Sequence, residues 1–212
     1  MKFKMYQVDA FTDKLFAGNP AAVVILESSL SEDVMQSIAS ENNLSETAFV
    51  SIHENPVSIR WFTPSIEVDL CGHATLASAR ILFDYYPNLT GEEINFDSKS
   101  GTLKVTKCND GHCLNFPADQ PIENELDSLF IEILDIEPLK LLKGKDDYLA
   151  VFKNQKQIED MQPKLSLLKK INARGLVISA PGDEVDFVSR CFYPEAGIEE
   201  DPVTGSAHTM LT

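Results

Sequence analysis

Basic residues are scarce in this chain. Its 212 residues hold 18 Lys and Arg against 33 Asp and Glu, a formal net charge of −15. A phosphate backbone or an anionic bilayer repels such a surface, so neither nucleic acid nor membrane is an expected partner. Long apolar runs are also missing. No segment approaches the ~20 residues that a membrane helix needs, and Lys2 and Lys4 precede no apolar signal core, which points to the cytoplasm. Cysteine is sparse: Cys71, Cys108, Cys113 and Cys191 are irregularly spaced, so reduced thiols are expected. Even with His73 and His112 added, the cysteines show no zinc-binding spacing, and no metal is expected. Neither G-x-G-x-x-G nor a phosphate loop occurs, so no nucleotide cofactor is indicated. What remains is ordinary globular composition, 43% hydrophobic and 24% charged, in a length that suits one large domain or two small ones.

The chain is organised around Arg60 to Pro87, RWFTPSIEVDLCGHATLASARILFDYYP. It starts as a strand that Pro64 stops and ends as a helix running from Ala74 towards Pro87. Between them, at Asp69-Leu70-Cys71-Gly72-His73, the chain turns and opens the helix. Gly72 permits close backbone approach there, and the free N–H groups of the first turn suit a small carboxylate. The Ala and Ser residues along the helix predict close packing on most sides.

The phrase returns near the end as RCFYPEAGIEEDPVTGSAH, Arg190 to His208. Arg60-x-Phe62-x-Pro64 matches Arg190-x-Phe192-x-Pro194, Ile66-Glu67 matches Ile198-Glu199, and Gly72-His73-Ala74 matches Gly205-Ser206-Ala207. The expected elements upstream agree in order. Before Arg60 come a strand (5–10), a helix (31–42, capped by Ser31) and strands at 47–52 and 57–63; a further strand is read at 22–26. Before Arg190 come a strand (148–152), a helix (157–171) and strands at 175–179 and 185–192. One β-α-β-β-α unit is thus predicted twice. Residues 117–127, with two prolines and several acids, read as the connector, giving domains 1–118 and 119–212. Glu46 stands at the mouth of a strand whose next residues look buried. It is either a solvated loop carboxylate or a functional group.

Five phrases carry a resemblance: Phe16-x-Gly18-Asn19-Pro20-Ala21-Ala22-Val23-Val24, Asn43-Leu44-Ser45-Glu46-Thr47-Ala48-Phe49, Arg60-Trp61-Phe62-Thr63-Pro64, Leu70-Cys71-Gly72-His73-Ala74-Thr75 and Asp201-Pro202-Val203-Thr204-Gly205-Ser206-Ala207. In this order, over nearly the whole chain, they resemble the PhzF family, which shares the fold of diaminopimelate epimerase. The resemblance implies an α+β fold of two pseudo-symmetric domains, each a sheet rolled round a central helix, with the active site in the cleft between them. It implies Glu46 as general acid/base and Gly72, His73, Asp201, Gly205 and Ser206 as substrate-binding residues. A cofactor-independent isomerase is then expected, moving a proton within a small carboxylic acid and forming a homodimer. An epimerase or racemase of the same fold, or a silent small-acid-binding oligomer, stands beside that reading.

The chemistry also follows from the residues. Two helix N-termini hold a carboxylate without a cationic side chain, and a carboxyl group enclosed beside them loses hydration, which raises its pKa. The repeat places Arg174 about where Glu46 lies, so one carboxylate works alone. Epimerases of the related fold use a cysteine at each helix start. Here Cys71 is matched by Thr204, which disfavours a two-thiol racemase. His73 can bind substrate or cap its helix, and Asp201 can do both. After Gly205-Ser206-Ala207 only five residues follow, against about forty after the first motif, so a truncated second domain is also expected.

Overall fold

In the computed structural model, residues 2–14, 16–109, 111–116 and 118–211 are described. Pro117, which opens the expected connector, and Thr212, the last residue of the expected terminal segment, lie outside them. The chain divides into two units, Met1–Pro117 and Ala118–Thr212.

The first unit runs β1 (Lys4–Ala10), β2 (Asn19–Leu26), α1 (Glu32–Asn42), β3 (Glu46–Ser51), β4 (Val57–Phe62), β5 (Glu67–Val68), α2 (Gly72–Tyr85), β6 (Glu93–Ser98), β7 (Gly101–Cys108) and β8 (Gly111–Asn115). Its sheet has the order β1-β2-β3-β4-β6-β7-β8, with β5 on β4. β2 and β3 pair in parallel, and α1 supplies the crossover such a pair requires. Both strands are buried on both faces, which is why their apolar residues run on without alternation. Val23, Ile25, Ala48 and Val50 face one core; Val24, Leu26 and Phe49 face another with Met35 and Ala39 of α1. Helix α2 fills the first core and touches β1, β2, β3 and β8, so the sheet curls round it. Only small side chains allow this: Ala74, Ala77, Ala79 and Ser78 are all fully buried. Ser31 takes the N-cap position of α1 with extended backbone but makes no side-chain capping bond. Glu32 and Asp33 in the first turn complement the dipole instead.

The second unit runs β9 (Ile122–Glu123), α3 (Ser128–Leu134), β10 (Lys140–Lys143), β11 (Asp147–Val151), α4 (Gln155–Asp160), α5 (Leu165–Leu168), β12 (Gly175–Pro181), β13 (Phe187–Tyr193) and β14 (Ile198–Asp201), then a 3-10 turn, Ser206–Thr209. Its sheet order is β14-β13-β12-β11-β10-β9. The single helix expected over 157–171 is two short ones. Pro163 lacks an N–H and pushes Gln162 out of helical backbone, so α4 stops at Asp160 and α5 starts afresh at Leu165. Helix α3 was not expected. Asp127 caps it by accepting a bond from the Phe130 N–H at 3.1 Å, and Phe130, Ile133 and Leu134 are buried.

The two units repeat one pairing scheme. β1 through β5 pair antiparallel, parallel, antiparallel and antiparallel; β10 through β14 do the same. The Arg-x-Phe phrases repeat in detail as well. Arg60 clasps Glu67 through Nε–Oε1 at 2.7 Å and Nη2–Oε2 at 2.8 Å, and Arg190 clasps Glu200 at the same two distances. Each guanidinium lies 5.2 Å over its own phenylalanine ring, Phe62 or Phe192. The carboxylate partner in the second unit is therefore Glu200, one residue beyond the Glu199 that sequence matching selects.

One expectation about the thiols is overturned. Cys108 and Cys113 form a disulfide across the β7–β8 hairpin, with Cα atoms 6.1 Å apart, while Cys71 and Cys191 are free and buried. In the hairpin ladder Cys108 stands opposite Gly111 and Cys113 opposite Thr106, so the bond runs diagonally between the two strands.

Candidate active site

In the first unit, three chain segments meet at one point. Parallel pairing sets Ala21 of β2 opposite Glu46 of β3, which brings the start of β2, Asn19, to the same end of the sheet as Glu46. Gly18 makes that entry possible: it sits at φ +74, and a Cβ there would collide with the Ala10 carbonyl oxygen. Helix α2 then delivers its first turn to this end. Gly72 is its first residue, His73 its second, and Cys71 its N-cap.

His73 Nε2 lies 3.4 Å from Glu46 Oε2. The imidazole is 3% exposed, and the Glu46 side chain 13%. On the other edge of the ring, Nδ1 lies 3.4 Å from Asn19 Nδ2 and 3.5 Å from Cys71 Sγ. Burial pushes the His73 pKa down to about 4, with the Pro20 backbone pulling the other way. At neutral pH the ring is uncharged and can pass or hold a proton beside a carboxylate. The first turn of α2 has no acidic residue, and Cys71 makes no side-chain capping bond, so the positive end of the helix is not offset by side chains of its own turn.

In the second unit, Asp201 ends β14 and is buried, with the Thr204 hydroxyl donating to its Oδ2. Gly205 takes the N-cap position of the 3-10 turn and Ser206 begins it; both are half-buried. Ala207 and Met210 of this turn pack on Leu149, Val177 and Cys191, the sheet face that α2 covers in the first unit. Ser206 Oγ accepts a bond from Arg174 Nη2 at 3.0 Å. Arg174 also clasps Asp147, donating from Nε at 2.9 Å, and its guanidinium stands 5.1 Å over the Tyr193 ring. Burial opposes the charge of Arg174, yet the bond to Asp147 and that carboxylate's charge raise its pKa above the ordinary value. By strand register the counterpart of Glu46 is Gly175, with Arg174 one residue earlier: Phe62 pairs Thr47, and Phe192 pairs Leu176. Burial likewise pushes the Cys191 thiol up to about 12, so it stays protonated.

Each sequence-selected residue thus falls at a strand or helix end of its own unit. Glu46, Gly72 and His73 come together, as do Asp201, Gly205 and Ser206. Asn19 and the Arg174–Asp147 pair were not selected. Asn19 belongs to the Gly18-Asn19-Pro20 phrase, but only the parallel register of β2 and β3 brings it to His73.

Glu46, Cys71 and His73 each offer a ligand atom within 4.8 Å of the others. The thiol addresses Nδ1 and the carboxylate Nε2, so an ion on either nitrogen finds one of the two ligands at the wrong edge of the ring. The set does not fit a resident metal. No described helix is long and apolar enough to cross a membrane.

The profile of the family described as phenazine biosynthesis-like protein matches residues 8–212. This chain belongs to that family. The phenazine biosynthesis-like relatives include an uncharacterized isomerase of Halalkalibacterium halodurans, 45% identical over 214 residues, which cover 100% of this chain and 81% of the relative. A crystal structure of a PhzF-family protein from Enterococcus faecalis superposes with a TM-score of 0.91 at 45% identity, covering 100% of this chain and 81% of that one. A predicted epimerase of Pseudomonas aeruginosa has a TM-score of 0.70 at 17% identity over 98% of this chain and 79% of its own, which shows the shared epimerase-like α+β fold. A relative named as an isomerase thus shares its sequence, and a PhzF-family crystal structure shares its architecture.

Proposed function

We propose that this chain is a cofactor-independent isomerase that moves a proton within a small carboxylic acid, with Glu46 as the proton carrier. The observation that carries the reading is the 3.4 Å approach of Glu46 to neutral His73 in the first turn of α2. A carboxylate that carries a proton needs close partners that add no competing charge, and an uncharged imidazole is such a group. The leading N–H groups of α2, at Gly72 and His73, face no acidic side chain of their own turn and suit the substrate carboxylate. Asp201, Gly205 and Ser206 are carried as further substrate contacts because the family resemblance implies them. The names of the relatives support an isomerase. A racemase using two thiols is disfavoured, because the counterpart of Cys71 is Thr204, whose hydroxyl is bound to Asp201.

The test is exchange of substrate hydrogen in deuterated buffer across a panel of small cyclic and unsaturated acids. Glu46→Gln should lower exchange by about 10²–10⁴-fold and leave binding largely intact. Exchange that survives the substitution rules out Glu46 as the carrier. Binding without any exchange by the wild type would make the chain a small-acid-binding protein.

A further inference from the structure

The phrase Gly18-Asn19-Pro20 has no part in the reaction as described so far. Asn19 is nevertheless 1% exposed, and its amide reaches the far side of the ring that faces Glu46. We propose that Asn19 is a positioning residue that fixes the tautomer of His73, holding the ring proton on Nε2, towards Glu46. The proposal rests on the reading of Glu46 as proton carrier.

Ser45 Oγ donates to Asn19 Oδ1 at 3.4 Å, which orients the amide with its NH2 towards His73. An amide NH2 has only hydrogens to offer, so Nδ1, 3.4 Å away, must accept. The Cys71 thiol, 3.5 Å from the same nitrogen, is a second donor. The Pro20 carbonyl also bonds the ring and can only accept a hydrogen from it. A neutral imidazole with Nδ1 accepting carries its hydrogen on Nε2. That atom is 3.4 Å from Glu46 Oε2, so the ring hydrogen lies on the side of the carboxylate. With the other tautomer, a lone pair would face that carboxylate and the two would repel. Asn19 therefore decides which protonation state of Glu46 the imidazole supports.

The experiment is two-dimensional nitrogen–proton NMR of the imidazole rings at neutral pH, with His73 assigned by the signal lost in His73→Gln. In the wild type, Nε2 should carry the proton and Nδ1 should be bare. Asn19→Asp replaces the donor with an acceptor of the same shape and should move the proton to Nδ1. Asn19→Ala introduces no buried charge and should give a mixture of both tautomers; it serves if the aspartate variant does not fold. A wild-type ring protonated on Nδ1, or an unchanged Nε2–H in the variants, overturns the proposal. The tautomer is read without turnover, so this result stands apart from the exchange assay on Glu46→Gln.

Discussion

Lowering the pH should destabilise this protein through His73 by an amount the fold sets. The ring is 3% exposed, and burial holds its pKa at about 4 against an ordinary value of 6.5. Above pH 6.5 the imidazole is neutral in both folded and unfolded chains, and its contribution to stability is complete. Below pH 6.5 the unfolded chain takes up a proton that the folded chain refuses, so the free energy of unfolding falls with pH. The loss accumulates at roughly 1.4 kcal/mol per pH unit and ends near pH 4, where the folded ring also protonates; it totals about 3 kcal/mol. The carboxylate of Glu46, 3.4 Å away, pulls in the opposite sense, and the prediction is that burial wins. Urea unfolding of the wild type and His73→Gln from pH 7.5 to pH 4 reads the ring together with its contact to Glu46, because groups away from the ring titrate alike in both. The wild type's advantage should shrink by about 3 kcal/mol over that range. If it grows as the pH falls, or if the His73 ring titrates at or above 6.5, the pair is an imidazolium–carboxylate bridge and the neutral-ring reasoning fails.

Two further outcomes follow from the packing. Arg174→Met strands the carboxylate of Asp147, whose side chain is 3% exposed, and should cost about 3 kcal/mol in urea unfolding. Adding Asp147→Leu should return much of it, and an unchanged midpoint in the single variant would contradict the pairing. The double variant Cys108→Ser/Cys113→Ser opens a loop whose ends are five residues apart in sequence and should lose about 2 kcal/mol in calorimetry, with exchange activity kept. A loss of activity would tie that hairpin to the site.

The first unit was legible because its elements announce themselves locally. Pro64 ends β4, small residues line α2 on every side, and the doubly buried strands β2 and β3 read as apolar runs. The repeat was legible because Arg-x-Phe encodes a strand, an ion pair and a ring contact together, although the shift from Glu199 to Glu200 depends on the irregular register of β13 and β14. The second unit was harder. Helical spacing of Met161, Leu165 and Leu168 outweighed Pro163 in the reading, whereas the missing N–H decides the structure. The contact of Asn19 with His73 spans 54 residues and exists only because β2 and β3 run parallel under α2. No local pattern encodes it. Nor does spacing alone encode the Cys108–Cys113 bond, which follows from a hairpin turn.

The repeated scaffold is unlike itself at the start of β3. Where the first half holds Glu46, the second holds Gly175, and Asp147 is tied to Arg174. In the proposed reaction, that asymmetry becomes stereochemistry. Catalysts with two bases invert a centre because hydrogen departs from one side and arrives from the other. A carboxylate that both removes and returns the hydrogen does so from one side, so with Glu46 in both roles the migration keeps to one face of the substrate. Part of the hydrogen removed also returns with it whenever delivery outruns mixing with water.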